Sequence, residues 1–380
     1  MALTRRPPLP RAAVASGALL LVLTACGGDD PAPAAGPDAP TAAPTSAPDG
    51  GDAPDGDAAP AQVDPSAPQV LVTGLQVPWG LAFVGGGDAL VAERDTGRLL
   101  RVPAAGGDPV ELTRFDDVDD TGEGGLLGLT TSPTDPDLVY AYYTGPQDNR
   151  VVRFRVDSPD DREPVLTGIP KGRTHNGGRI AFGPDGHLYV GTGDAGQADL
   201  AQDDDSLAGK VLRVTEDGEP VDGGSPVFSK GHRNVQGLSF DDDGRLYAVE
   251  FGPDRDDEVN QVSLGDNAGW PEVTGDDDGG GRFLTPVVVW ADPAEASPSG
   301  SAIVGDTLYV AALRGNRLWA VPLDGAGGAG EPEPVLQGEF GRLRTLVTAP
   351  DGSLWITTSN RDGRGSAAAE DDRILRLPPG

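Results

Sequence analysis

Apolar positions in this chain fall in short alternating runs bounded by glycine, proline and aspartate, and no long stretch carries helical spacing. The runs His187-Leu188-Tyr189-Val190 and Ser353-Leu354-Trp355-Ile356 are rich in β-formers. Each follows a Pro-Asp-Gly triplet, at 184–186 and 350–352. In such a triplet proline presets one φ and glycine accepts a positive one, which closes a hairpin.

Six segments share a layout of strand, turn, second strand and polar loop: 79–102, 125–144, 178–196, 236–254, 299–323 and 344–363. Their starts lie between about 45 and 63 residues apart. A repeat of this kind, with about four strands in about 40–50 residues, is that of a propeller blade. The expected fold is all-β, a six-bladed β-propeller; a pair of β-sandwiches is the competing arrangement. Loops at one end of the blades would converge on the central axis, so residues far apart in sequence could share a site. That architecture permits binding or catalysis without proving either.

The N-terminal residues stand outside the repeat. Arg5, Arg6 and Arg11 flank an apolar run, 12–23, that is too short to span a bilayer comfortably. The ending Leu23-Thr24-Ala25-Cys26 resembles the bacterial lipobox, in which the cysteine becomes the acylated N-terminus. Residues 1–25 therefore read as a lipoprotein signal peptide and Cys26 as the lipidation site. An ordinary secretory signal with a chance cysteine is the alternative. Residues 26–67 read as a disordered Ala/Pro/Gly/Asp tether and 68–380 as the propeller. The expected location is outside the cell, on the outer face of its membrane, with membrane contact through the lipid anchor alone. Cys26 is the single cysteine, so no internal disulfide staples the fold. The formal net charge of −31 argues against nucleic acid as a partner, since phosphate binding needs a basic surface.

Gly191-Thr192-Gly193-Asp194-Ala195-Gly196 fits G-x-G-x-x-G, but the following residues lead to another strand, Lys210-Val211-Leu212-Arg213-Val214, and not to a helix. A dinucleotide site needs that helix, so the match is taken as accidental. Clustered cations are more informative in so acidic a chain. His232-Arg233-Asn234 precedes the fourth repeat. Arg342 and Arg344 precede or open the sixth, two apart on an extended strand and facing the same way. Guanidinium groups suit the bidentate capture of carboxylates, although pairing with nearby surface aspartates remains open. The stretch 250–260, with Gly252-Pro253 and several carboxylates, offers the oxygen donors that Ca²⁺ asks for; a charged hairpin loop without metal is the alternative. His175 is one of three histidines and lies in a glycine-flanked loop. His187 reads as a structural or surface residue and His232 as a supporting neighbour of Arg233. Trp79, Trp270 and Trp355 read as blade packing.

Six stretches occur in order: Gly122-Glu123-Gly124-Gly125-Leu126-Leu127-Gly128, His175-Asn176-Gly177-Gly178-Arg179, Gly231 through Gly237, Gly252-Pro253 with Asp256-Asp257-Glu258-Val259-Asn260, Asn267-Ala268-Gly269-Trp270-Pro271, and Arg342-Leu343-Arg344. In these the chain from about Pro68 onward resembles the soluble quinoprotein aldose dehydrogenases, the glucose/sorbosone dehydrogenase family. The resemblance implies a six-bladed propeller holding pyrroloquinoline quinone (PQQ) with Ca²⁺. It implies oxidation of an aldose at C1 to its lactone, with electrons passed to an external acceptor.

Carried across residue by residue, the resemblance makes His175 the catalytic base. It sets Arg233 and Asn234 beside the quinone's reactive carbonyls, and the carbonyls of Gly252 and Pro253 on the Ca²⁺ bound with PQQ. Asp257, Glu258 and the carbonyl of Ala268 match a second, structural Ca²⁺ site. Arg342 and Arg344 match the side chains that hold the cofactor's carboxylates, with Arg314 near a further cationic contact. An uncharged imidazole can take a sugar hydroxyl proton as hydride leaves the carbon. Two positions depart from the family. Glu123, at the cofactor, stands where glucose-oxidising members have an amide, and Thr174 stands where they have a carboxylate that can orient the base. Two other readings compete: a metal-dependent lactonase-type propeller, and a non-catalytic propeller that binds a glycan or protein outside the cell.

Overall fold

The computed structural model describes residues 62–221 and 223–380. The signal peptide, Cys26 and the tether as far as Ala61 lie outside these residues. The described chain forms six four-stranded antiparallel sheets arranged as blades. Blades 1 to 5 each take four consecutive strands. Blade 6 is built from both ends of the domain: Gln69–Val72 pairs with Ile374–Leu377 and supplies its outermost strand. This strand closes the ring. Val63 bridges Pro379, and Asp64 N–H donates to the Pro378 carbonyl at 2.8 Å. Gln62 to Ala67, expected in the tether, are therefore part of the closure, because extended backbone beside an unpaired strand end gains ladder hydrogen bonds.

The Pro-Asp-Gly turns form as expected. Gly186 and Gly352 have φ of 76° and 79°. Asp185 and Asp351 each accept the backbone N–H two residues on, at 3.1 and 3.0 Å. Among the described residues, helix is confined to two 3₁₀ turns, Gly85–Gly87 and Ala198–Ala201.

The apolar residues assemble into six clusters, and each lies between two neighbouring blades. One joins Leu90 and Leu99 of blade 1 to Tyr143 and Phe154 of blade 2. Another joins Leu81 and Val91 of blade 1 to Trp355 and Ile374 of blade 6. Both faces of every sheet are thus covered, which explains why strands such as Ala89–Glu93 and Leu246–Glu250 are buried at every position.

The inner strands are Pro78–Phe83, Leu126–Thr131, Ile180–Phe182, Val235–Phe240, Pro298–Val304 and Leu343–Thr348. They meet around the axis so closely that four carry glycine at the narrowest level. A Cβ on Gly80, Gly128, Gly237 or Gly300 would lie 2.3, 2.2, 2.7 or 2.8 Å from a backbone oxygen of the next blade. Replacing Gly128 with alanine should therefore destabilise the fold by about 1–3 kcal/mol, the range for inserting volume into a packed interior. Denaturant unfolding of Gly128→Ala against Gly224→Ala, where nothing lies within 4 Å and φ is not positive, checks that the cost is steric.

Candidate functional site

Adjacent strands are antiparallel, so the loop entering each inner strand and the loop leaving its neighbour lie at the same end of the propeller. At that end they surround a cavity of about 480 Å³. Its lining includes Glu123, His175, Arg233, Gly252, Pro253, Asp257, Arg314 and Arg342, drawn from five blades. These eight residues span 220 positions of sequence, and the fold brings them together as expected.

His175 sits in a loop held from several sides. Its own φ is +57°, a left-handed conformation that costs about 1–3 kcal/mol in a non-glycine residue and persists where the surroundings impose it. The imposition is visible. His175 N–H donates to Glu123 Oε2 at 2.9 Å, and the buried Asn176 side chain bonds both N–H and C=O of Gly172 at 3.0 and 2.8 Å. Tyr142 Oη donates to the Asn176 carbonyl at 2.8 Å.

Thr174 supplies no carboxylate, yet the imidazole has one. His175 Nδ1 lies 2.7 Å from Oδ1 of Asp194, which is 1% exposed. Asp194 also accepts the Gly196 N–H at 2.7 Å, and its Oδ2 accepts the Trp270 indole N–H at 2.9 Å. Burial pushes the Asp194 carboxyl up, but His175, Gly196 and Trp270 outweigh it and hold it below the ordinary value. An ionised Asp194 accepts the Nδ1 proton and leaves Nε2 as the basic nitrogen.

Asp194 comes from the glycine-rich run whose dinucleotide reading was set aside. Its glycines serve close approach instead: a Cβ on Gly193 would lie 2.0 Å from the His175 carbonyl oxygen. Trp270 is likewise not blade packing, since it fixes Asp194 and lies 5.5 Å from the Arg233 guanidinium. Trp79 and Trp355 are buried in inter-blade cores.

The cations are held differently from one another. Arg342 pairs with Asp362 at 2.8 Å. Arg344 is 5% exposed; it shares Asp362 with Arg342, at a longer 3.6 Å, and otherwise contacts neutral groups, Gln236 Oε1 at 3.2 Å and Ser299 Oγ at 3.5 Å. Burial pushes it down to about 9. Arg233 N–H donates to Glu250 Oε2 at 2.7 Å, and Glu250 Oε1 is held by the fully buried His232, in keeping with a supporting role for that histidine. Three buried nitrogens, Arg233 Nε, Asn234 Nδ2 and Arg344 Nε, have no protein partner. Asn234 Oδ1 is taken by the Gly177 N–H at 3.0 Å, so its amide nitrogen is the free end.

Arg364, absent from the sequence reading, lines the cavity and donates to Glu123 Oε1 at 2.9 Å. Burial raises Glu123, but the His175 N–H and Arg364 leave it below its ordinary value, hence ionised. An exposed arginine in a Gly-Arg-Gly loop carries no pattern that would single it out, and Asp362 is equally anonymous.

The carbonyls of Gly252 and Pro253 accept no hydrogen bond among the described residues. Asp257 and Glu258 are successive residues of the strand Asp257–Val262 and so face opposite ways. Asp257 lines the main cavity and accepts the N–H groups of Gly252 and Ser297 at 3.0 and 2.8 Å. Glu258 lines a small recess with Ala268, Glu250 and Pro253. The expected trio of Asp257, Glu258 and Ala268 is thus split, and Asp257 does not share the recess. Burial and the nearby Glu250 push Glu258 up to about 8, while burial pushes Asp257 up to about 6. Among the described residues no three His, Cys, Asp or Glu side chains converge as a metal-binding group, so a cation here would lean on carbonyls.

Fold and site together define a six-bladed propeller with a carboxylate-oriented histidine in a cationic axial funnel. The family model described as Glucose / Sorbosone dehydrogenase matches residues 75–375, and the chain belongs to that family. The PQQ-bound aldose sugar dehydrogenase of Streptomyces coelicolor is 49% identical, with a TM-score of 0.78 over 83% of this chain and 98% of that one. The aldose sugar dehydrogenase YliI of Escherichia coli is 28% identical over 80% of this chain and 92% of its own. Quinoprotein glucose dehydrogenase B of Acinetobacter calcoaceticus is 31% identical over 56% of this chain. That match spans about half of the Acinetobacter protein, 54%.

The hydrogen bond from Nδ1 to Asp194 makes a structural prediction. Nitrogen NMR of the wild type should report His175 as the Nδ1-protonated tautomer when neutral. Asp194→Asn should remove that preference, whereas Thr174→Val should leave it in place.

Proposed function

We propose that this protein oxidises an aldose at C1 to its lactone with PQQ and Ca²⁺, and passes the electrons to an external acceptor. The observation that carries this reading is the set of unpartnered buried donors, Arg233 Nε, Asn234 Nδ2 and Arg344 Nε, beside the Asp194-oriented His175. Buried donors left without partners cost free energy unless a ligand satisfies them. A flat ligand rich in carboxylates and carbonyls fits that donor set. Arg342 and Arg344 would hold the carboxylates of PQQ, and Arg233 and Asn234 its quinone oxygens. Arg314 adds positive charge at the exposed rim, and Glu123, neutralised by Arg364, lies beside them. The free carbonyls of Gly252 and Pro253 suit the hard cation that accompanies the cofactor. The Ala268 carbonyl and Glu258 would hold a second, structural Ca²⁺, without Asp257.

When bound, the cofactor supplies an ortho-quinone that accepts hydride from C1, and Ca²⁺ supplies Lewis-acid polarisation. The chain's own part is acid–base and positional. Asp194 holds the Nδ1 proton, so Nε2 of His175 is the nitrogen that takes the proton of the C1 hydroxyl. Loss of that proton and of hydride from C1 leaves the lactone. Trp270 and Gly196 keep Asp194 ionised, which stabilises the imidazolium as it forms.

The location is part of the same proposal: export, lipidation at Cys26, and a tether that sets the propeller at the outer face of the membrane, where sugars and a diffusible acceptor are both accessible.

The deciding assay adds PQQ and Ca²⁺ to the purified protein and follows dye reduction with a panel of aldoses. His175→Ala should lower turnover by about 10²–10⁴-fold, the usual worth of a general base, while leaving the quinone's absorbance change on binding intact. Wild-type protein that neither takes up the quinone nor reduces dye with any sugar would sink the reading. Removing Ca²⁺ by chelation should lower Tm and abolish quinone uptake together, and re-adding Ca²⁺ should restore both. Glu258→Gln should lose most of the Tm increment and retain quinone uptake, because Glu258 lines only the recess, behind the Gly252-Pro253 turn, and not the main cavity.

A further inference from the structure

The axial channel has a second chamber. All six inner strands run in the same direction, so residues before the narrow level face the funnel and residues after it face the opposite end. The three residues that follow that level in each inner strand line a cavity of about 450 Å³. Its walls carry phenylalanine, leucine, isoleucine and valine together with the hydroxyls of Thr130, Thr131, Ser239, Ser301 and Thr348, and no aspartate or glutamate.

Two blades break the pattern at the narrow level, blade 6 with Thr345 and blade 3 with an arginine. Where blades 1, 2, 4 and 5 have Gly80, Gly128, Gly237 and Gly300, blade 3 has Arg179, which also lines this second cavity. The side chain is 7% exposed. Its Nε donates to the Gln236 carbonyl at 2.8 Å, its Nη2 to Thr345 Oγ1 at 3.1 Å, and its guanidinium lies 4.3 Å from the centre of the Trp79 ring. Every one of these partners is neutral. Nη1 has no hydrogen-bond partner among the described residues. Burial is the sole influence on its basicity and takes it to about 9, so it is charged at neutral pH.

A buried charge is costly unless it is paired, and here the protein supplies no counter-charge. The chain's acidity, −31 in all, lies elsewhere. A single cation in a chamber whose other walls are uncharged suits one monovalent anion with weakly held water; a doubly charged oxyanion would need a second cation that the lining lacks. The hydroxyls of Thr130, Thr131 and Thr348 add donors, while those of Ser239 and Ser301 already share a hydrogen bond at 2.7 Å. We infer that the second chamber of the axial channel is a halide site, in which Arg179 holds one chloride or bromide ion against the hydroxyl-bearing inner strands.

The site is independent of the proposed sugar oxidation, since neither cofactor nor sugar enters its test. Crystals of the full chain soaked in sodium bromide, with data collected at the bromine edge, should show an anomalous peak in contact with the Arg179 guanidinium. In solution, Tm should rise saturably with sodium chloride or bromide above its value in sodium isethionate at equal ionic strength. That halide-specific rise should vanish in Arg179→Met. No peak in the chamber, or the same halide rise in wild type and variant, overturns the inference. If Arg179→Met does not fold, chlorine-35 line broadening with wild-type protein decides: competition by bromide for a saturable site supports it, and linear broadening with no competition overturns it.

Discussion

The approach of six backbones at one axis governs the rest of this molecule. At four of the six positions an inner strand passes its neighbour with a backbone oxygen where a Cβ would otherwise stand, and glycine is the consequence. Closing the ring that tightly does two things. It forces the loops at one end into a single funnel, and it divides the channel into two chambers whose chemistry differs. The cores between blades contribute the burial, but the axial contact sets the geometry within which they pack.

Within the funnel the protein manages charge unevenly, and that unevenness is what makes the site chemically competent. Arg342 and Arg344 share the single carboxylate Asp362, at 2.8 and 3.6 Å, and Arg344 and Arg233 each keep a buried Nε without a partner. One carboxylate between two guanidiniums leaves a net positive charge for a ligand. Glu123 could have spoiled this balance, since it brings a negative charge to the same place, but Arg364 from the far end of the chain offsets it. The resulting surface is cationic inside a strongly acidic protein, which favours an anionic ligand in the funnel and weakens non-specific association elsewhere.

The base is built by the same economy of contacts. His175 occupies a left-handed conformation because Glu123, Asn176 and Tyr142 clamp its loop, and Asp194 reads the position of the ring that results. Trp270 ties this pair to the loop that also flanks the Gly252-Pro253 turn, so base, arginine and candidate cation site share one scaffold. The halide chamber lies on the other side of Trp79, which carries Arg179 and Arg344 within 4.3 and 6.0 Å of its ring.

By itself the sequence determined the blade count, the hairpin turns and the clustered arginines, which are local signals; the other funnel residues came from the resemblance to the glucose/sorbosone dehydrogenase family. The structure brings His175, Glu123, Arg233, Arg314 and Arg342 to the lining of one cavity, with Arg344 buried nearby. What only the tertiary structure decided are the pairings between distant residues. Asp194 as partner of His175, Trp270 as donor to Asp194, Arg364 on Glu123 and Gln69–Val72 on Ile374–Leu377 link positions with no local pattern in common. The split of Asp257 from Glu258 belongs to the same class, for adjacency in sequence becomes opposition on a strand. A chain records what each residue can donate or accept; which partner it meets depends on where the ring closes.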